Sequence, residues 1–239
     1  MGLQAAMNAS RLRTGLNEQC SRRQAEMNPI KEWWVEEKVK KTLEKLEAHE
    51  FKTMYVKTKE EATKEIWKHI TPQTRVGAGG SVTIRELGIL DQLKAKGNTV
   101  YDVWNTQLSQ KASFQIRKNQ TTSDLFLSSV NAVTMNGELV NIDGMGNRVN
   151  ATSFGPRKVI LVAGYNKIVV DVQEAIRRIK NVAAPMNARR LNLDVPCAKL
   201  GRCVDCNSPN RMCRIVVIHE WKPTWTDILV VLVREEMGY

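Results

Sequence analysis

The chain has 239 residues, of which 42% are hydrophobic and 26% are charged, and this is the composition of a globular protein with a sizeable core. Its formal net charge is +11. The composition excludes collagen, coiled coils and disulfide scaffolds, and no apolar run approaches the roughly 20 residues that cross a bilayer. We therefore expect a cytoplasmic protein without a membrane partner.

The first 26 residues are polar and lack the apolar core of a signal peptide. Periodic sequence begins only near Met27, directly before a predicted helix that opens at Pro29. Residues 1–26 are predicted to be a disordered arm or an over-extended gene start, and the second interpretation is favoured. Residues 27–239 form the predicted domain.

From Met27 onwards the spacing of apolar residues alternates between a helical and a strand-like period. The predicted helices are Pro29–His49, Lys59–Ile70, Val82–Lys96, Leu108–Asn119 and Val170–Asn181. The predicted strands are Lys52–Lys57, Arg75–Gly77, Thr99–Val103, Asp124–Ser129, Ala132–Met135, Glu138–Ile142, Lys158–Ala163, Arg214–His219 and Asp227–Val233. Asn136 and Gly137 are typical of a hairpin turn. Together these elements predict an α/β fold, a mainly parallel sheet covered by helices, with an antiparallel hairpin and the C-terminal strands as additions.

A glycine-rich loop from Gly77 to Ser81 joins the second predicted strand to a helix. Glycines let a backbone approach a ligand closely, and the N–H groups at a helix start attract anions. Thr83 and Glu86 have the spacing of a capping box at this start. The pattern is neither a dinucleotide fingerprint nor a Walker loop. Two interpretations follow, an anion-binding loop and a tight turn that binds nothing.

A second polar segment, Asp143 to Arg148, follows the hairpin and contains two glycines. It can present a carboxylate, an amide and a guanidinium together. Arg148 suits a substrate carboxylate or phosphate, and Glu138 and Asp143 are candidates for acid–base catalysis. The alternative is a hairpin exit in which Asp143 accepts hydrogen bonds from its own backbone.

Four of the five cysteines, Cys197, Cys203, Cys206 and Cys213, fall within 17 residues. Without an export signal the thiols should stay reduced, so disulfides are not expected. Four closely spaced thiolates are what a zinc ion or an iron–sulfur cluster requires, within a predicted metal loop over residues 194–214. A [4Fe–4S] cluster is favoured, because a zinc ribbon usually has two CxxC knuckles and this segment has one. Structural zinc and a metal-free segment are the alternatives.

Most of the excess positive charge lies between Met145 and Arg214, where thirteen residues are basic and four are acidic. Part of it would offset the negative charge of a four-thiolate centre, and the rest indicates a small anionic ligand. No helix-turn-helix, zinc finger or aromatic RNA-binding motif accompanies the charge. Nucleic acid is therefore the less favoured partner, and homo-oligomerisation is left open.

Several motifs in combination resemble the LUD domain of lactate-utilisation proteins. They are Val76–Gly88, Asp124–Phe126, Asn136–Leu139 and Asp143–Arg148. The segment from Pro196 to Cys213 is similar to the variant of the family that carries a C-terminal cysteine run. The likeness extends from about Pro29 to Tyr239.

The resemblance implies a fold of the NagB/RpiA/CoA-transferase type and a link to the oxidation of L-lactate to pyruvate, alongside iron–sulfur redox partner proteins. It implies a ligand pocket made of Gly79, Gly80, Ser81 and Glu86, with Asp143, Asn147 and Arg148 opposite. The candidate catalytic residues are Glu86, Glu138, Asp143 and Arg148. The chain lacks the Asp-Gly-Ala-Asp segment of the sugar-phosphate isomerases, which argues against isomerase chemistry.

Three functions are consistent with these patterns. The first is a component of lactate oxidation whose cysteine centre is an electron relay or a structural site. The second is a module that binds or transfers an anion, a phosphate or a CoA ester, with structural zinc. The third, nucleic-acid binding, depends on charge alone.

Overall fold

The computed structural model describes residues 27–104 and 108–239. The predicted arm, residues 1–26, lies outside the described residues. The chain divides between Glu37 and Lys38 into two compact units, and both sheets lie in the second unit. Among the described helices, none combines the length and the apolar character that crossing a membrane requires.

Helices and strands alternate along the chain as predicted. The helices are α1 (Pro29–Ala48), α2 (Lys59–Trp67), α3 (Val82–Glu86), α4 (Ile89–Ala95), α5 (Gln110–Gln120), α6 (Asn147–Ser153), α7 (Val172–Arg178), α8 (Ala184–Arg190) and α9 (Pro196–Leu200). The strands are β1 (Lys52–Val56), β2 (Val76–Ala78), β3 (Val100–Asp102), β4 (Leu125–Ser128), β5 (Ala132–Thr134), β6 (Leu139–Asp143), β7 (Lys158–Gly164), β8 (Ile168–Val169), β9 (Ile215–His219) and β10 (Asp227–Val233). A 3₁₀ turn, Tyr165–Lys167, follows β7.

Six strands form a parallel sheet in the order β1-β10-β7-β4-β2-β3, which confirms the predicted α/β fold. β10 is not an addition to this sheet but lies inside it, with Val230 opposite Leu161 of β7. Six of its seven residues are buried. A continuous apolar run of this kind is typical of a strand that is covered on both faces.

A second, mixed sheet has the order β8-β5-β6-β9. The predicted hairpin is confirmed, since β5 and β6 pair antiparallel with Val133 opposite Leu139. β9 pairs antiparallel with the other side of β6, so this sheet collects the hairpin and one of the late strands.

The predicted helix Val82–Lys96 is two helices, α3 and α4. Gly88, between them, has a φ of +63°, a left-handed conformation that glycine adopts at little cost and that interrupts the helical hydrogen bonds. The prediction was wrong here because a single glycine inside an apolar period does not change that period.

The predicted helix Val170–Asn181 ends too early. After α7 the chain makes a π-helical turn, Ile179–Ala183, and continues into α8 with Pro185 near its start. The wider turn accommodates a proline that has no N–H to donate. Helices α6 and α9 were also missed, and α9 lies inside the segment that was predicted as a metal-wrapping loop.

The carboxyl ends of neighbouring parallel strands bring four connections together. The glycine loop follows β2, Ser129 follows β4, the turn that ends at Lys167 follows β7, and Glu235–Tyr239, which we call the post-β10 segment, follows β10. From β2 the chain runs to β3 on one side and then to β4 on the other, so the strand order reverses between β2 and β4. Ligands of open α/β sheets bind at such a reversal.

Candidate functional site

The glycine loop is closely packed at Gly79 and open at Gly80. A Cβ on Gly79 would lie 2.9 Å from Ser128 Oγ and 3.3 Å from Arg148 Cδ, so only glycine allows this approach. Gly80 is exposed and has no atom within 4 Å of its Cβ position. The helix cap is Ser81, whose Oγ accepts from the Ile84 N–H at 3.3 Å. The capping box that was predicted at Thr83 and Glu86 is therefore wrong.

The Asp143 carboxylate accepts hydrogen bonds from the backbone of its own loop, which is the alternative that the sequence left open. Its Oδ1 accepts from the N–H groups of Gly144 at 2.7 Å, Met145 at 3.2 Å and Gly146 at 3.3 Å. The second oxygen, Oδ2, accepts from the Val149 N–H at 3.3 Å. A carboxylate with this many donors stabilises a turn, and both of its oxygens are occupied by hydrogen bonds from its own loop and from the start of α6.

Arg148 is partly buried, with 14% of its side chain exposed, and its guanidinium is engaged inside the protein. It donates to Asn141 Oδ1 at 2.5 Å, to Asn131 Oδ1 at 3.1 Å and to the Ile142 carbonyl at 2.8 Å, and its Nε lies 3.6 Å from Asp143 Oδ2. Burial lowers its pKa, and Asp143 opposes that effect. The predicted fork onto a ligand carboxylate would have to break these bonds.

Asn147 is also engaged by its own fold. Its Nδ2 donates to Gln120 Oε1 at 3.0 Å, and Gln120 donates in turn to the carbonyls of Ala78 at 2.8 Å and Tyr101 at 3.1 Å. This fully buried glutamine ties the end of β2 to the start of α6. The two predicted halves of the pocket therefore do meet, because the side chain of Arg148 packs against Gly79. The polar groups of Asn147 and Arg148, however, mostly form hydrogen bonds within the protein.

Glu138 does not join the other predicted residues. It lies in the hairpin turn, where its carboxylate pairs with the Thr134 hydroxyl. Asp143 is the last residue of extended β6, five positions beyond Glu138 and roughly 16 Å away along the strand. Glu86 is exposed on α3, and its Oε2 accepts from the Gly238 N–H of the post-β10 segment at 2.9 Å.

Sequence reasoning missed Lys167, which is 2% exposed at the carboxyl edge of the parallel sheet. Its Nζ donates to Thr83 Oγ1 at 2.8 Å and to Ser129 Oγ at 2.9 Å. Its pKa is lowered to about 7, mainly by burial and also by the positive charges of Arg178 and Arg148, while Glu86 opposes the shift. The available signal was a lone lysine between the two apolar runs that became β7 and β8.

The post-β10 segment covers this lysine. Asn166 fixes its backbone, accepting from the Met237 N–H at 3.1 Å and donating to the Gly238 carbonyl at 3.3 Å. A Cβ on Gly238 would lie 2.5 Å from Thr83 Oγ1 and 3.5 Å from Lys167 Nζ. Two surface cavities of about 230 and 460 Å³ lie elsewhere, and both are lined by Asp194 and Lys199.

The four cysteines of the C-terminal run are free thiols, each partly buried. Burial raises the pKa of Cys197, and the charges of Cys206, Cys213 and Cys203 raise it further, so the thiols are close enough to interact. Over residues 27–104 and 108–239, however, no three Cys, His, Asp or Glu side chains form a group that could hold a metal ion as they stand.

The chemistry of the donor set nevertheless fits a thiolate-bound metal. The Asp205 N–H donates to Cys203 Sγ at 3.3 Å, and Asp205 has a left-handed φ of +46°, so the backbone turns towards the sulfur. Arg211 donates to Cys213 Sγ at 3.5 Å, while its buried Nε has no acceptor among the residues that the structure describes. Hydrogen-bond donors directed at sulfur stabilise thiolates and shift the reduction potential of a bound metal centre.

The cysteine run contacts the Asp143 loop. The Arg214 N–H donates to the Asp143 carbonyl at 2.9 Å, and a Cβ on Gly144 would lie 2.8 Å from the Met212 carbonyl oxygen. The loop from Asp143 to Arg148 therefore touches the cysteine run at one end and the glycine loop, through Gly79, at the other.

The chain is similar to proteins of known structure and matches a protein family. The chain is similar to a DUF162 family protein from Deinococcus radiodurans of known crystal structure, with 15% identity and a TM-score of 0.48 over 83% of this chain and 98% of that chain. Curated proteins include no match. The sequence model of the LUD domain matches residues 39–233, which is most of the chain. The chain therefore belongs to the LUD domain family, the family that its motifs linked to lactate utilisation.

Proposed function

We propose that the chain is a cytoplasmic component of the oxidation of lactate, or of a related 2-hydroxy acid, to the 2-oxo acid. In this proposal Cys197, Cys203, Cys206 and Cys213 hold a [4Fe–4S] cluster. When bound, such a cluster would supply one-electron transfer between the site of oxidation and iron–sulfur partner proteins.

The observation that carries the proposal is the environment of the sulfurs. Four free thiols interact electrostatically, two of them accept N–H hydrogen bonds, and the guanidinium of Arg211 lies beside Cys213. A cluster with four thiolates has net negative charge, and the surrounding arginines and backbone N–H groups would stabilise it. Free thiols also fit a reducing compartment.

The residues of the chain itself have separate tasks in this proposal. Asp205 and Arg211 donate hydrogen bonds to the sulfurs of Cys203 and Cys213, two of the proposed metal ligands. The loop of Asp143 joins the cysteine run to the glycine loop. The small anionic ligand is expected at the carboxyl edge of the parallel sheet, where the strand order reverses.

Anaerobic purification with iron, sulfide and zinc analysis tests the proposal, followed by electron paramagnetic resonance after dithionite reduction. We expect about four iron and four sulfide ions per chain and a signal on reduction. Cys203→Ser should lose the metal and leave the sheets folded, whereas Cys20→Ser should retain it, because Cys20 lies outside the run.

A colourless protein with one zinc ion per chain would remove the electron-relay role. It would favour the alternative, an anion-binding or transferase module with structural zinc. A protein that binds neither metal would contradict both assignments of the cysteines.

A further inference from the structure

Two basic side chains at the carboxyl edge of the parallel sheet have no carboxylate partner among the residues that the structure describes. Lys167 is almost fully buried, and Arg178 on α7 is partly buried. Lys167 donates to two hydroxyls of the described residues, and Arg178 donates to the carbonyls of Asn166 at 3.1 Å and Asn131 at 2.8 Å. Burying positive charge without an opposite charge is costly, so a cluster of this kind is uncommon as a purely structural feature.

The hydrogen bonds of Lys167 leave one position of its amine open. The Thr83 hydroxyl donates to the Met237 carbonyl at 3.4 Å, and the Ser129 hydroxyl donates to the Val130 carbonyl at 3.2 Å. Both hydroxyls are therefore acceptors towards Lys167. An ammonium group has three donors, and two of them are used here, so the third has no acceptor in the described structure.

The charges that face the amine do not neutralise it. Within residues 27–104 and 108–239, Glu86 of α3 is the acidic group that acts on it, while Arg148 of α6 and Arg178 of α7 are positive. Glu86 is exposed and already accepts from the Gly238 N–H, and Arg148 has Asp143 beside it. The net charge around Lys167 therefore remains positive, and an anion would supply what is missing.

The position in the fold favours a ligand as well. Thr83, Ser129 and Lys167 come from the connections that follow β2, β4 and β7, which are neighbours in the sheet. The strand order reverses between the first two of these strands, which is where ligands of open α/β sheets bind. Gly238 lies over the amine without a side chain, and its N–H is held by an exposed carboxylate.

We propose that Lys167 and Arg178 bind a small oxyanion, a carboxylate or a phosphate, beside Gly238 at the carboxyl edge of the parallel sheet. The site differs from the predicted pocket, whose Asp143, Asn147 and Arg148 are engaged by their own fold. The choice of lactate and pyruvate as carboxylate probes rests on the proposed function, whereas the site itself requires no metal and no electron transfer.

Isothermal titration calorimetry of the full chain tests the proposal, with L-lactate, pyruvate and inorganic phosphate at constant ionic strength. The titrations are run at pH 8 in two buffers with different ionisation enthalpies. We expect at least one anion to bind with one-to-one stoichiometry and with proton uptake. Uptake follows because burial lowers the pKa of Lys167 to about 7, so the amine is mostly neutral at pH 8 and must gain a proton to pair with the anion.

Three variants distinguish the site from a general charge effect. Lys167→Met should weaken binding at least tenfold and abolish proton uptake. Arg178→Met should weaken binding about as much and should reduce the uptake without abolishing it, because Arg178 also lowers the pKa of Lys167. Lys64→Met removes an exposed lysine of α2 and should change neither. Urea unfolding of each variant shows that the protein is folded.

The outcomes separate this inference from the proposed function. Binding of carboxylates alone, or of carboxylates and phosphate, supports the site and identifies its anion. No binding of any of the three anions overturns the inference, as does a Lys167→Met protein that binds as tightly as the original. Anion binding by a protein without a redox metal would support this site and refute the proposed redox role. A protein that holds the cluster but binds none of the anions would support the redox role and refute this site.

Discussion

Replacing Lys167 with methionine tests whether the buried amine lowers the free energy of unfolding of the protein. Burial lowers the pKa of Lys167 from 10.5 to about 7 in the folded protein. In the unfolded chain the lysine is solvated and its pKa is ordinary. Between pH 7 and pH 10.5 the unfolded state therefore binds more protons than the folded state, and the free energy of unfolding rises with pH in this window.

The size of the effect follows from the two pKa values. Their difference corresponds to about 5 kcal/mol for keeping the amine charged in the folded protein, and about 2 kcal/mol of this is relieved between pH 7 and pH 9. Methionine has a similar length and no charge, so Lys167→Met should be more stable than the original protein at pH 7. That advantage should shrink by about 2 kcal/mol by pH 9.

Urea unfolding at pH 7, 8 and 9 measures the effect, in chloride buffers that contain neither carboxylate nor phosphate. The comparison uses the difference between the variant and the original protein, because the other titrating groups cancel in it. Lys64→Met, from the surface of α2, should give a difference that does not change with pH. A constant or widening advantage for Lys167→Met would refute the reasoning, since it would mean that the amine remains charged throughout.

Two further predictions concern the residues around this edge of the sheet. A lysine at position 148 cannot reach Asn141, Asn131 and the Ile142 carbonyl together, so Arg148→Lys should lower the free energy of unfolding by about 2–3 kcal/mol in urea titrations. A loss below about 0.5 kcal/mol would contradict a stabilising role for these three hydrogen bonds. Gly238→Ala places a methyl group 2.5 Å from Thr83 Oγ1 at a φ of +54°, so it should displace the post-β10 segment and increase acetylation of Lys167 several-fold by mass spectrometry. Gly97→Ala is the matched control, because it has the same kind of backbone strain at a φ of +84° with no atom within 4 Å, and equal labelling of the two variants would contradict the prediction.

The sheet and its order of elements could be predicted because they depend on hydrophobic period. The continuous apolar runs of β7 and β10 and the turn at Asn136 and Gly137 each indicate one local structure. Which strands become neighbours depends on long-range packing, and β10 therefore lay inside the sheet although its place at the end of the sequence suggested an addition.

The candidate site was predicted less completely, because the residue type does not reveal which hydrogen bonds are already made. Asp143 and Arg148 look alike in sequence whether they face a ligand or each other, and the structure engages both internally. Lys167 was overlooked for the opposite reason, because a lysine in a connection between strands is usually solvated and is not expected to belong to a site. Only the fold brings it under Gly238 and next to two hydroxyls.

The contact between Gly144 and Met212 limits which substitutions and deletions this chain can accept at these positions. The carbonyl oxygen of Met212 takes the space of a side chain at position 144, and the adjacent Arg214 N–H is bonded to the Asp143 carbonyl. A larger residue at position 144, or a deletion between Cys206 and Cys213, would shift both backbones at once. Homologues that lose the cysteine run should therefore also have lost the need for glycine here, and an alignment of the two groups would show paired substitution at these positions.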